Sequence, residues 1–241
     1  MFERRRSSGR IQSTLDQRYS LKEDSLRNRA RPQIAVIDYG IGNLRSAQKA
    51  LERVGADARL VDDPDQVKAA DGAVLPGVGA FEPCRQALHA RGLDRSALEC
   101  IDAGVPFLGI CVGFQLLYER SEESPGVRGL GVFKGSVHYL GPDVKHPQMQ
   151  WNVLRRVVEG AEMLEGLGDE PWMYFVHSLF PETGPETVAT CDYGGTISAG
   201  AESSNVWGTQ FHPEKSSEAG LKVLSNFVAK CTATRNGEDS Q

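Results

Sequence analysis

The chain has 241 residues, 40% hydrophobic and 24% charged, with a net charge of -5 and a mean hydropathy of -0.36. That balance lets the chain bury one substantial core and implies neither a nucleic-acid nor a membrane partner. No apolar run approaches the ~18 to 20 residues of a membrane span, and no secretory apolar core follows the first arginines, so the expected location is the cytoplasm.

Residues 1–32 stand apart. They carry nine Lys or Arg against four Asp or Glu and few large apolar residues, which leaves the remainder of the chain near -10. This composition predicts a basic, disordered N-terminal extension, with one folded domain over 33–231 and a disordered tail over 232–241. The five cysteines, Cys84, Cys100, Cys111, Cys191 and Cys231, are odd in number and form no C-x-x-C pair. They suit free thiols in a reducing compartment. His138 and His146 lack cysteine partners at zinc-site spacings, so no metal is expected.

In chain order, Ile34-Ala35-Val36-Ile37 is an unalternated apolar run of the kind buried on both faces of a parallel sheet. Asn43 then offers a helix N-cap, Leu44, Ala47, Leu51 and Val54 recur at helical spacing, and Gly55 is a stop. Gly72-Ala73-Val74-Leu75 predicts a second buried strand. It ends in the loop Pro76-Gly77-Val78-Gly79-Ala80-Phe81, and helical segments follow between Pro83 and Ala103. The run Val105 to Ile110 predicts another strand, with a helix starting in Phe114-Gln115-Leu116-Leu117-Tyr118. This alternation predicts an α/β fold with a parallel sheet.

Beyond Ser124-Pro125-Gly126 the texture changes to short β-like runs: Val132-Phe133, 137–140, 151–158, 173–176, 187–191 and 206–211. They predict an antiparallel extension that returns to the sheet. A final helix is expected from Ser216 or Ser217, with Leu221, Leu224, Phe227 and Val228 on one face.

The chemistry starts at Gly109-Ile110-Cys111-Val112-Gly113, where a thiol sits between two glycines at a strand-to-helix turn. Such a turn needs small flanking residues and exposes its central side chain above the sheet edge, as in the G-x-S-x-G elbow. A cysteine attacks as the thiolate, so a base is needed. His212, in Gln210-Phe211-His212-Pro213-Glu214, lies past an apolar strand end, and Glu214 two residues on can hold its ring. His177 competes for the base role. From the residues alone, Cys111 is equally readable as a structural thiol, and spacing does not prove that it meets His212. The Pro76-Gly77-Val78-Gly79 glycines are either turn chemistry or, with Val112, backbone N–H donors for an oxyanion. No nucleotide fingerprint is present, and no cofactor is expected.

Five segments together resemble one family: Asp38-Tyr39-Gly40-Ile41-Gly42-Asn43-Leu44, Pro76-Gly77-Val78-Gly79-Ala80-Phe81, the Cys111 turn with Phe114-Gln115-Leu116-Leu117, Phe175-Val176-His177-Ser178, and Gly208-Thr209-Gln210-Phe211-His212-Pro213-Glu214-Lys215-Ser216. They resemble the class I glutamine amidotransferases, and more narrowly the glutaminase subunits of imidazole glycerol phosphate synthase, from about residue 33 to residue 231. The resemblance implies a triad of Cys111 as nucleophile, His212 as general base and acid, and Glu214 as the orienting carboxylate. It further implies oxyanion donors from Val78, Gly79 and Val112, and substrate contacts from Gln115, Glu123 and Ser178.

The substrate it implies is L-glutamine, hydrolysed through a thioester to glutamate and ammonia. The partner it implies is a separate (β/α)8-barrel cyclase forming a heterodimer, which takes the ammonia and which Asn43 and Arg45 would face. The family pattern also implies an oxyanion loop that the partner can switch. Two residues depart from that pattern near the implied interface: Gln150 stands where glycine is usual before Trp151-Asn152, and Leu179 follows His177-Ser178.

Overall fold

The computed structural model describes residues 31–237. The expected N-terminal extension lies outside the described residues except for Arg31 and Pro32. The strands are β1 (Gln33–Ile37), β2 (Asp57–Val61), β3 (Gly72–Gly77), β4 (Phe107–Cys111), β5 (Arg120–Ser121), β6 (Ser136–Tyr139), β7 (Gln148–Val153), β8 (Arg155–Arg156), β9 (Trp172–His177), β10 (Leu179–Pro181), β11 (Thr187–Asp192), β12 (Thr196–Ser203) and β13 (Val206–Thr209). The α-helices are α1 (Leu44–Arg53), α2 (Pro64–Lys68), α3 (Phe81–Ala90), α4 (Leu93–Asp102), α5 (Val112–Gln115) and α6 (Ser217–Asn236).

Eight strands form the main sheet in the order β2-β1-β3-β4-β13-β12-β11-β8. The first five run parallel, and β12, β11 and β8 extend the sheet antiparallel. This is the α/β class predicted, with the antiparallel extension on one side. Two small sheets, β10-β6-β5 and β7-β9, stand apart from it. Strands β3 and β4 are buried at every residue, which is why they read as continuous apolar runs rather than alternating ones. Helix α1 packs on β1 and β2 and against α6, burying Ala47, Ala50 and Leu51.

The key adjacency is β3-β4-β13. These neighbours are parallel, with Gly77 opposite Cys111 and Thr209 opposite Ile110. Their C-terminal ends therefore emerge at one edge, which is where open α/β sheets build their sites.

Several expectations need correction. Strand β2 with helix α2, and the long strand β12, were not apparent in the sequence. β2 is the sheet edge and reads Asp-Ala-Arg-Leu-Val, while β12 is buried through small residues, Ser198 to Ala201, that carry little hydrophobic signal. The helix expected at Phe114 starts at Val112 and lasts one turn, because the N–H groups of Leu130 and Phe133 take the carbonyls of Leu116 and Leu117. For the same reason Val132-Phe133 forms a bend, not a strand. The 151–158 run is split between β7 and β8, and Val157 and Val158 lie beyond both. The last helix reaches Asn236, five residues into the expected tail. Arg235 ties its end to Arg31 O and Asp71, and Gly237 caps it in the left-handed conformation.

Candidate active site

Cys111 ends β4 with φ 55 and ψ -111, a left-handed backbone that a side-chain-bearing residue rarely adopts. Such strain is held only where the surroundings over-determine it. Gly113 shows how tight they are: a Cβ there would collide with the Leu75 carbonyl, and one at Gly109 would come within 2.8 Å of Gly113 O. The two glycines therefore let β3, β4 and the turn pack against one another while the cysteine is thrust above the edge.

His212 follows β13 and is 2% exposed. Its N–H donates to Tyr174 O on β9, and its carbonyl accepts from Ser216 Oγ, which in turn accepts from Tyr174 N–H. The backbone is thus pinned at both polar groups. Nδ1 lies 2.8 Å from Glu214 Oε1, and both side chains are 3% exposed. A carboxylate only accepts, so Nδ1 carries the proton and Nε2 is left for the sulfur side. Nε2 makes no hydrogen bond of standard geometry with protein. Burial opposes the charged ring, but the neighbouring Cys111 and the Glu214 carboxylate outweigh it and push the His212 pKa up to about 10. The ring can therefore take up a proton beside the sulfur, as a base acting on Cys111 must.

His177, the competing base, is held differently. Its Nδ1 donates to Leu179 O at 2.9 Å, and burial lowers its pKa to about 4, the Leu179 bond opposing and the charge of His212 adding to the fall. It is neutral at pH 7 and is held by a carbonyl, so His212 is the imidazole of the two that a carboxylate backs.

Cys111 and His212 line a cleft of about 150 Å³ with Val78, Gly79, Val112, Gln115, Val176, His177, Ser178 and Leu179. Every site residue named from the sequence is there except Glu214, which stands behind His212, and Glu123. The Glu123 carboxylate instead accepts from Phe81 N–H at 2.7 Å, at the start of α3 just past the Val78-Gly79 loop. A larger cleft of about 500 Å³, lined by Arg155, Arg156 and Asp169 among others, lies away from this chemistry and holds no nucleophile. The cleft at Cys111 is smaller than the few hundred Å³ typical of drug-sized pockets and suits one small ligand. Gly79 has φ 88, so the loop depends on glycine there.

Three buried neighbours were missed. Tyr39 donates to Pro76 O and Cys84 Sγ to Val78 O, anchoring the Val78-Gly79 loop from beneath. Gln210 donates to Cys111 Sγ. Its place two residues before His212, just past the end of β13, was the available signal.

Comparison with known proteins agrees with this fold. The family model for glutamine amidotransferase class-I matches residues 35–231, and the chain belongs to that family. Among solved structures, PurLQS of Thermotoga maritima matches with a TM-score of 0.64 at 22% identity, covering 83% of this chain and 99% of that one. A crystal structure of glutamine amidotransferase gives 0.65 at 19%, covering 81% and 98%. At these identities they show the fold. The imidazole glycerol phosphate synthase subunit HisH of Methanothermobacter thermautotrophicus is 51% identical over 196 residues, 81% of this chain and 97% of its own length. HisH of Nostoc punctiforme is 45% identical, covering 83% and 96%. The chain thus also belongs to the narrower family of HisH subunits.

Proposed function

We propose that this protein is the glutaminase subunit of an imidazole glycerol phosphate synthase, supplying ammonia for histidine biosynthesis. The observation that carries the chemistry is the strained Cys111 sharing a cleft with His212, whose ring Glu214 holds in one tautomer. The thiolate attacks the side-chain amide carbon of glutamine. Backbone N–H groups of the Val78-Gly79 loop and Val112 receive the oxyanion, His212 protonates the departing ammonia, and water, activated by the same ring, opens the thioester to glutamate. Gln115 and Ser178 line the cleft and contact the substrate; Glu123 acts beside it, through the Phe81 N–H.

The partner is a separate cyclase of barrel form. Cross-strand pairs in β7 and β9 place Met149 with Val176, Trp151 with Tyr174, and Val153 with Trp172 on one face. Met149, Trp151 and Trp172 are 62%, 44% and 56% exposed, an apolar surface continuous with the strand that lines the cleft. Large exposed apolar patches mark interaction sites, and this one is the docking face in the present reading. The five cysteines are free and buried, and no helix among the described residues is long and apolar enough to cross a membrane, both in keeping with a cytoplasmic enzyme.

The test is a glutaminase assay of the purified chain with and without the cyclase, alongside Cys111→Ala. Glutamine-dependent synthesis should fall by on the order of 10⁴-fold or more in the variant, while ammonium salts still support the cyclase. Retained glutamine use would sink the proposal.

A further inference from the structure

Gln210 is fully buried between the catalytic cysteine and Gln115. Its amide orientation follows from its neighbours. The Leu179 carbonyl can only accept, and Gln115 Nε2 lies 3.0 Å from it, so the Gln115 nitrogen must face that way. The same nitrogen is 3.1 Å from Gln210, which must present its oxygen, Oε1, to it. Gln210 Nε2 is thereby turned toward Cys111 Sγ, at 3.7 Å. The reverse orientation would set two NH2 groups against each other and an amide oxygen against the sulfur. Leu179 O also fixes the His177 tautomer, so one carbonyl orders the polar side chains on both sides of the cleft.

We propose that Gln210 is a catalytic residue, whose side-chain N–H donates to the Cys111 sulfur and stabilises it as the thiolate. The proposal rests on the reading of Cys111 as the nucleophile. When the S–H bond breaks, the proton passes to His212 Nε2 and the electron pair stays on sulfur. Gln210 keeps both of its protons and gains a charge-assisted hydrogen bond, stronger than the one it makes to the neutral thiol. Other ionisable groups act on the same sulfur: His212 with Glu214 behind it, Tyr39 past β1, and Cys84 on α3, while His177 on β9 lines the same cleft. None of them reaches it as a neutral donor that keeps its proton throughout the reaction. Through its oxygen, Gln210 also ties the ionised sulfur to Gln115, a side chain that faces the substrate cleft.

The experiment is iodoacetamide alkylation of the full chain, with the modified cysteine mapped by mass spectrometry, between pH 7 and pH 9.5. Gln210→Met keeps the volume and removes the donor, whereas Gln210→Glu keeps the oxygen for Gln115 and sets a second oxygen against sulfur. Folding of each is checked by circular dichroism. The rate at Cys111 should fall about tenfold at pH 7 in Gln210→Met, from the worth of a hydrogen bond to a charged group, and further in Gln210→Glu. The shortfall should close toward pH 9.5, where ionisation no longer limits the rate.

A folded Gln210→Met chain alkylated at Cys111 as fast as the unsubstituted one, or slowed equally at every pH, overturns the proposal. Failure of the unsubstituted chain to react preferentially at Cys111 overturns instead the reading beneath it. If neither variant folds, the unsubstituted chain still decides. The Gln210 side-chain NH2 resonances should shift as Cys111 ionises, and resonances that stay put overturn the assignment.

Discussion

The parallel half, β1 to β4, and the second half, β5 to β13, divide the labour of the site unequally. The parallel half presents Cys111, the proposed nucleophile, by local means: one strand end, one strained residue and two glycines that admit close packing. The second half supplies His212 and Glu214, the proposed base and its carboxylate, together with Gln210 and the exposed β7-β9 face, and none of these works without long-range placement. Local strain makes a group reactive, and tertiary pairing decides what it reacts with.

Glu214 carries the largest expected effect in the second half. Glu214→Gln should lower kcat by about 10² to 10⁴-fold, since an amide no longer selects one His212 tautomer or supports the imidazolium. A loss that appears in kcat, with KM held, locates the fault in chemistry; a change confined to KM would remove Glu214 from the triad.

Next come the glycines. Gly113→Ala drives a Cβ into the Leu75 carbonyl and should destabilise the fold by about 2 to 3 kcal/mol. Gly141→Ala in the second half meets open space at an ordinary φ and should stay within about 0.5 kcal/mol. Urea denaturation of the pair checks the contrast, and equal midpoints would refute it.

Two histidines of the second half then give opposite pH signatures. The His177 pKa falls from the model-peptide 6.5 to about 4 on folding, chiefly by burial. The unfolded chain therefore binds the extra proton between those values. Its contribution to stability is complete above pH 6.5 and declines as pH drops toward 4, by on the order of 3 kcal/mol in all. His177→Gln should flatten that part of the acid unfolding profile.

His138 sits between Glu122 and Glu182 at 2.9 and 3.0 Å, and hydrogen bonding to them raises its pKa. Its contribution is complete below its unfolded value and lost as pH rises through the folded one. With the ring 36% exposed and both carboxylates more so, solvent screening keeps the effect below about 1 kcal/mol. His138→Gln should lower stability at pH 5 and leave it nearly unchanged at pH 8.5, as thermal melts at the two pH values would show.

Legibility in the sequence follows the same division. The strands of the parallel half are covered on both faces, so Ile34 to Ile37 and Gly72 to Leu75 stand out as unbroken apolar runs. Strand β12 escaped notice because Ser198, Ala199, Gly200 and Ala201 are buried without being large. The triad was legible as motifs, each ambiguous by itself. Gln210 was overlooked because an amide beside a histidine is unremarkable until its partners are known.

By itself the sequence determined the α/β alternation, the glycine-flanked thiol and the His212-Pro213-Glu214 dyad, since each is written within a few consecutive residues and enforced by sterics or strand alternation. Only the tertiary structure decided that β13 pairs parallel to β4, and so that His212, with Glu214 behind it, reaches the same cleft as Cys111. It alone oriented the Leu179-Gln115-Gln210 relay toward Cys111. Those outcomes depend on register and on donors meeting acceptors across the fold, and hydrogen-bond direction exists only once both partners are in place.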